Sequence, residues 1–315
     1  MSDLPCRFPL ILNPKAKSEK GRRALKFIME NATCFTIYAT RSREEAIELA
    51  ERFVSEGEKL VIVAGGDGTL NAVIEALASS STALGVFPTG TMNVFAREMG
   101  IPYDGLENAM EVIDGGHFEE VDLFEMNGTP FVQMAGVGFD ARVIEETSWE
   151  SKKRLGGPLA YTLSVLKVLR VNQPEILVSC DGGKEVAGRA LFVGNGALYG
   201  GQFPLFRNAS NADGLLDVIV FKEAGSKFVK DSLVGLLNGG VAPETHGNSV
   251  EYLQGKTVSV SCSEDVPVEV DGELWGRSRE VKFRSTGKKL RVCAPLERKV
   301  KKRYRLLKKI SFWRD

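Results

Sequence analysis

Residues 65–71 read Gly65-Gly66-Asp67-Gly68-Thr69-Leu70-Asn71, directly after the apolar run 60–64 and directly before a helical pattern. Three glycines in four residues let a backbone come close to a ligand and expose several N–H groups. A helix starting near Leu70 adds its positive end, so a loop of this kind is suited to hold phosphate. It is not a Walker A loop, which ends in Gly-Lys-Ser/Thr. Nor is it a Rossmann fingerprint, because Asn71 stands where the third glycine belongs. Asp67 would repel a bare anion. It makes sense if it meets phosphate through Mg²⁺ or accepts a proton from a substrate hydroxyl. The plain alternative is a tight turn with a capping aspartate. Pro88-Thr89-Gly90-Thr91-Met92-Asn93 stands in the same relation to the run 84–87. Thr91 and Asn93 are placed either to donate to phosphate or to cap the next helix.

The surroundings of these loops repeat a strand–helix alternation. Residues 8–12, 35–39, 60–64 and 84–87 are strand-length apolar runs, with helical patterns at 21–32 and up to Ser55 between them. Ser42 with Glu45 three residues on predicts a capping box for the second helix. Repeated units of this length predict an α/β domain with a parallel sheet, and ligands in such sheets bind beyond the carboxyl ends of the strands. From about Val121 the texture changes to short apolar or alternating runs at 131–134, 176–179, 190–193, 216–221, 257–261, 266–270 and 290–293. These predict a second, mainly β domain with helices at 159–171 and 227–237.

Charge and cysteine usage narrow the setting. Net charge is zero, yet residues 298–314 carry nine Lys or Arg and no acid, which leaves the rest of the chain net acidic. Leu296, Val300, Tyr304, Leu307 and Ser311 repeat at helical spacing there, so the tail predicts a basic amphipathic helix that seeks an anionic membrane surface. It could equally fold back on the first domain. Five scattered cysteines without a CxxC fit reduced thiols, and no run approaches the ~20 apolar residues needed to cross a bilayer. The first twelve residues show no basic segment followed by an apolar one, so no secretory leader is expected. A cytoplasmic, peripherally membrane-associated protein is the expectation, with no nucleic-acid partner; a homodimer stays open.

Two later motifs carry acids. Asp271-Gly272-Glu273 ends the alternating residues Val266, Val268 and Val270. Two carboxylates two residues apart in extended chain share a face and could divide catalytic work, one pKa raised by the other. An ordinary Asp-Gly hairpin turn is the alternative. Asp213-Gly214-Leu215-Leu216-Asp217 suits Mg²⁺ through hard oxygen ligands around a short turn, or is only a loop acid that begins a strand. His117 and His246 have no partner pattern and are expected on surface loops.

With these residues in view, the chain resembles the soluble diacylglycerol kinase family of lipid kinases, with bacterial and sphingosine kinase relatives. The Gly-Gly-Asp-Gly-Thr-Leu-Asn loop and the following Pro-x-Gly-Thr-x-Asn-x-Phe-Ala-Arg carry the likeness, followed in order by Gly136-Val137-Gly138-Phe139-Asp140-Ala141, Gly200-Gly201, Asp213-Gly214 and Asp271-Gly272-Glu273. The resemblance implies an NAD kinase/diacylglycerol kinase-like nucleotide domain over 6–124, a β-sandwich lipid-acceptor domain over 125–295 and a tail over 296–315. It implies ATP contacts at Asn13, Thr40, Gly65, Gly66, Asp67, Gly68, Thr69, Leu70, Asn71 and Thr91. It implies a structural Mg²⁺ at Asp213, with carbonyls near Ser210 and Leu215, and an acid linked to the metal-water network at Asp122. Catalytic acids would be Glu273, Asp271 and Asp67, with the choice of general base open. The expected reaction is transfer of the ATP γ-phosphoryl group to a lipid hydroxyl, diacylglycerol or a related lipid. Its rivals are a soluble NAD kinase-like enzyme and a non-catalytic nucleotide- or lipid-binding protein. Phe131, Phe139, Phe203, Leu205 and Phe206 are candidates for an acceptor groove or for core. Two departures stand out: Asn13-Pro14-Lys15-Ala16-Lys17 replaces the family's Asn-Pro-x-Ser-Gly, and Val94 stands where an Asp is often found.

Overall fold

The computed structural model describes residues 7–14, 19–147, 173–242 and 246–297, together with Ser164, Lys167, Val168 and Val171. The basic tail from 298 onward and most of the helix expected at 159–171 lie outside the described residues.

The chain opens with β1 (Phe8–Leu12), α1 (Glu19–Glu30), β2 (Phe35–Ala39), α2 (Arg43–Ser55), β3 (Leu60–Gly65), α3 (Asp67–Leu77) and β4 (Ala83–Pro88). Short helices α4 (Val94–Glu98) and α5 (Leu106–Asp114) follow. Next come β5 (Phe118–Met126), β6 (Thr129–Phe131), β7 (Met134–Val137) and α6 (Phe139–Glu146). The second half contains β8 (Ile176–Cys180), β9 (Val186–Gly188), β10 (Ala190–Gly194), β11 (Leu198–Tyr199), β12 (Phe203–Pro204) and β13 (Leu216–Phe221). It closes with α7 (Ser226–Leu237), β14 (Val250–Gly255), β15 (Thr257–Val270) and β16 (Glu273–Cys293).

β2, β1, β3 and β4 pair in that order, all parallel. Every residue of β3 and β4 is buried, because parallel strands carry helices on both faces and read as continuous apolar runs. The order reverses between β1 and β3, so the loops after these strands open onto one crevice. Ser42 caps α2 as expected, its Oγ accepting from Glu45 N at 3.3 Å. The reciprocal half of the capping box goes elsewhere: Glu45 Oε2 accepts from Arg41 N at 2.7 Å.

The second half is an antiparallel arrangement continuous with the first. One path runs β14-β13-β10-β7-β15-β16-β4-β3-β1-β2, which makes a mixed sheet with an α/β nucleotide fold at one end and the β-sandwich region at the other. The runs expected as separate strands at 257–261 and 266–270 are one strand, β15, with a bulge between Ser261 and Val266. The run at 290–293 is the end of the 21-residue β16. There Val292 pairs with Leu84 in parallel, and Leu290, Val292, Cys293 and Ala294 enter the core of the first half. Strand β5 is shared as well, with Val121 and Leu123 in that core and Phe124 and Met126 in the next.

Two expectations are corrected and one open alternative is decided. The run 131–134 is not one strand, because the chain breaks between β6 and β7. His246 is buried rather than on the surface, with its ring nitrogens 2.7 Å from the carbonyl oxygens of Ala242 and Asp231. Of the five residues left open between an acceptor groove and core, Phe131, Phe139, Leu205 and Phe206 are core, and only Phe203, 49% exposed, faces outward.

Candidate active site

Asn13 follows β1, Thr40 follows β2, and the glycine loop follows β3, so the crevice is built from strand ends. A cavity of about 350 Å³ is lined there by Asn13, Thr40, Arg41, Ser42, Arg43, Ala46, Gly66, Gly68, Thr69, Ala72 and Glu273. Asn13 Nδ2 donates to Thr69 Oγ1 at 3.0 Å, tying the β1 loop to the start of α3. Thr40 is buried and its hydroxyl donates to Leu12 O at 3.4 Å. The first N–H groups of α2 and α3 lack acceptors within their helices and border this cavity, a favourable setting for phosphate oxygens.

The glycines are needed for close approach. A Cβ on Gly90 would stand 2.5 Å from Gly66 Cα, so the two loops touch backbone to backbone. A Cβ on Gly68 would collide with the Glu273 carboxylate, which reaches into the loop from the far half of the chain. Two other expected loop residues, Gly65 and Leu70, are buried behind this surface, whereas Thr91 is exposed on the second loop and outside the cavity lining.

Asp67 does not face a phosphate position alone. Its Oδ1 accepts from Phe95 N at 3.2 Å, at the start of α4, so it caps the neighbouring helix. Burial pushes its carboxyl above the usual range, and the backbone N–H groups of Phe95, Val94, Asp67 and Asn93 pull it back. Asn93, with φ +49°, is fully buried and spends its amide on Gly90 O at 2.8 Å and Pro88 O at 3.4 Å.

Asp271 and Glu273 do not share a face. Asp271 (φ +47°) and Gly272 (φ +83°) form the two-residue turn between β15 and β16, which sends the two acids in opposite directions. Asp271 turns inward. Its Oδ1 accepts from Gln133 N and Met134 N, each at 3.0 Å, and its Oδ2 from Val132 N at 3.1 Å and Asn71 Nδ2 at 2.8 Å. This carboxylate is what breaks the run 131–134 into two strands. Burial raises its proton affinity, and the four donors oppose that rise. Glu273 turns outward, its side chain 59% exposed and 3.6 Å from Arg43 Nη1.

Arg43 was not anticipated from sequence. Its guanidinium also meets Asn71 Oδ1 at 2.6 Å and Gly68 O at 3.5 Å, which joins α2, the glycine loop and Glu273. Two arginines, 41 and 43, just beyond a strand-end threonine were the available signal.

The turn at 210–215 lies apart from this cavity. Asp213 is exposed, and its Oδ1 accepts from Leu215 N at 3.0 Å. Asp122 Oδ2 accepts from Gly214 N at 2.7 Å and its Oδ1 lies 3.5 Å from Lys289 Nζ. Among the described residues no three acidic, His or Cys side chains converge on one point. Asp217, two residues beyond this turn, is buried: its Oδ1 accepts from the Tyr252 hydroxyl at 2.6 Å and from Gln254 Nε2 at 2.9 Å, and its Oδ2 has no hydrogen-bond partner. Burial raises its proton affinity, and the negative charge of Asp213 adds to the rise.

The fold and the strand-end crevice define a nucleotide-binding kinase, and comparison with known proteins gives its family. Residues 7–126 match the diacylglycerol kinase catalytic domain, and residues 133–294 match the YegS C-terminal NAD kinase beta sandwich-like domain. A diacylglycerol kinase of Staphylococcus carnosus is 31% identical over 279 residues, covering 86% of this chain and 90% of that protein. A crystal structure from Bacillus anthracis, provisionally described as a diacylglycerol kinase, superposes with a TM-score of 0.75 at 25% identity, over 94% of this chain and 97% of that one. An NAD kinase from Archaeoglobus fulgidus, solved with ATP, shares the fold with a TM-score of 0.50 at 11% identity, over 93% and 95% of the two chains. The chain belongs to the diacylglycerol kinase family.

Proposed function

We propose that this kinase transfers the γ-phosphoryl group of ATP to a lipid hydroxyl, diacylglycerol or a related lipid, with Glu273 as the general base. The observation that carries this reading is the entry of the Glu273 carboxylate into the glycine loop beside Gly68. A base there stands next to the amides suited to the transferred phosphoryl group, and it is exposed to an incoming hydroxyl. Asp271, with both oxygens engaged by four donors, acts by shaping the turn that presents Glu273. Phosphoryl transfer needs positioning and charge stabilisation more than covalent chemistry. The loop amides, Thr69 and Asn13 supply the first, and Arg43 the second.

An apolar acceptor is supported by exposed apolar side chains. Leu274 and Trp275 continue from Glu273 at 43% and 40% exposure, and Met92, elsewhere on the second loop, is 45% exposed. Among the described residues no helix is long and apolar enough to cross a membrane. Contact with a lipid surface is assigned to these side chains and to the basic tail. Mg²⁺, when bound, would supply positive charge to the 210–215 turn, held by Asp213 with carbonyls of Ser210 and Leu215. Asp67 is the described acid that could meet a nucleotide-borne cation.

The test is a radiolabelled-ATP assay against diacylglycerol, sphingoid bases, ceramide and NAD. Label on a lipid, lost in Glu273→Gln, is expected. Label on NAD, or on no acceptor, overturns the reading.

A further inference from the structure

Glu269 and Asp140 are two buried acids that the proposed reaction does not use. Glu269, on β15, is 1% exposed, and Asp140, in the first turn of α6, is 3% exposed. They meet over Gly136 of β7, where a Cβ would lie 3.0 Å from Glu269 Oε1 and 3.3 Å from Asp140 Oδ2. The outer oxygens of the pair are occupied. Asp140 Oδ1 accepts from the Tyr199 hydroxyl at 2.5 Å, and Glu269 Oε2 accepts from Gly272 N at 2.8 Å. Glu269 Oε1 is buried with no N–H or O–H to accept from.

Two carboxylates in contact away from water cannot both hold charge, because each raises the cost of ionising the other. A proton between Glu269 Oε1 and Asp140 Oδ2 removes that repulsion and satisfies the orphaned oxygen. We propose that Glu269 and Asp140 share one proton, and that this pair is a positioning device which holds the Gly272 N–H and thereby fixes the turn carrying Asp271 and Glu273. The link is short. Glu269 grips the middle residue of the turn, Asp271 grips residues 132–134, and Glu273 is thereby aimed at Gly68.

The surroundings agree. Burial holds the Glu269 carboxyl well above the ordinary carboxylate range, and the charges of Asp140 and Asp271 add to the effect. On the elements packed against it, β7 contributes Met134, Ala135, Gly136 and Val137, which do not titrate, and its cross-strand neighbour on β16 is Leu274. Tyr199 of β11 presents its hydroxyl to Asp140. Arg142 of α6 pairs with Glu264 at 4.0 Å, and Arg277 of β16 pairs with Glu145 at 3.0 Å.

The inference rests on the proposed reaction for one arm of its test only. The first arm is the infrared spectrum at neutral pH, where a protonated carboxyl group has its own carbonyl stretch. Glu269→Gln and Asp140→Asn each replace the shared proton with an amide N–H, so the same single band should vanish in either variant. The second arm is melting temperature against pH. A carboxyl pKa raised by folding gives stability that is full below the ordinary carboxylate range and lost as pH rises through the folded value. Wild type should therefore lose melting temperature with rising pH, and Glu269→Gln should lose that slope. The third arm is turnover with the lipid acceptor. Wild type should fall on the alkaline side, Glu269→Gln should not, and Glu269→Ala, which leaves Gly272 N–H unpaired, should be impaired at every pH. A band unchanged in both variants, or a melting slope retained in Glu269→Gln, overturns the shared proton. If no acceptor is phosphorylated, the first two arms still decide the pair, while the reaction alone fails.

Discussion

At the scale of single residues, Glu273 and Asp271 occupy one turn in opposite environments, and their variants should separate accordingly. Glu273→Gln should keep the fold and nucleotide affinity while turnover falls ~10²–10⁴-fold, the usual weight of a positioned acid–base group. Asp271→Asn should act on stability first. It sets an amide N–H₂ against donors that now meet a carboxylate, and each hydrogen bond to a charged group contributes about 1.5–3 kcal/mol. A lowered melting temperature, with loss of activity following from it, is the expected result. Steady-state kinetics beside thermal melts checks both. The Asp-Gly-Glu motif was visible in the sequence as a candidate pair of acids and as a candidate hairpin; the structure makes it the hairpin. What the sequence could not reveal is which acid turns inward, since that depends on donors at 132–134, far away along the chain. For Arg43 the sequence offered its place after a strand-end threonine but not its partners, which sit on the glycine loop and at position 273.

At the scale of elements, the parallel β1–β4 units were the most legible part, because local periodicity and strand-end glycines both specify them. The long β15–β16 hairpin was less so, since its bulge interrupts the alternation that would have marked one strand. Asp67 links two elements, the glycine loop and α4. Asp67→Asn keeps a side-chain oxygen for the α4 amides and should retain its melting temperature, whereas Asp67→Ala should lose a cap of about 1 kcal/mol. Activity decides between its roles: a large loss of turnover in the stable Asn variant makes Asp67 a participant, and near wild-type turnover leaves it a cap. The 210–215 turn gives a parallel test. Melting temperature should rise with added Mg²⁺ in wild type by mass action, and Asp213→Ala should blunt that response. A flat titration for both proteins removes the metal from the turn.

At the scale of the whole molecule, the proposed contact with a lipid surface rests on the basic sequence of the tail and on the exposed Met92, Leu274 and Trp275. Each Lys or Arg near an anionic leaflet adds about 1 kcal/mol, so on such a surface the nine at 298–314 would be a substantial anchor. Deleting 299–315 should weaken binding to anionic vesicles and make the remainder less sensitive to salt. Co-sedimentation at low and high salt, with melting temperature as control, is the measurement. Unchanged vesicle binding with a large drop in melting temperature would assign the tail to the fold instead. The long final strand has a consequence for anyone who recombines such proteins. Because Leu290–Ala294 complete the core begun by β1–β4, a chimera cut near residue 126 would inherit a first half missing its own closing segment. Interchangeable parts must therefore be excised in two pieces, the opening stretch together with the last few residues before the tail, or left in place as one heritable unit.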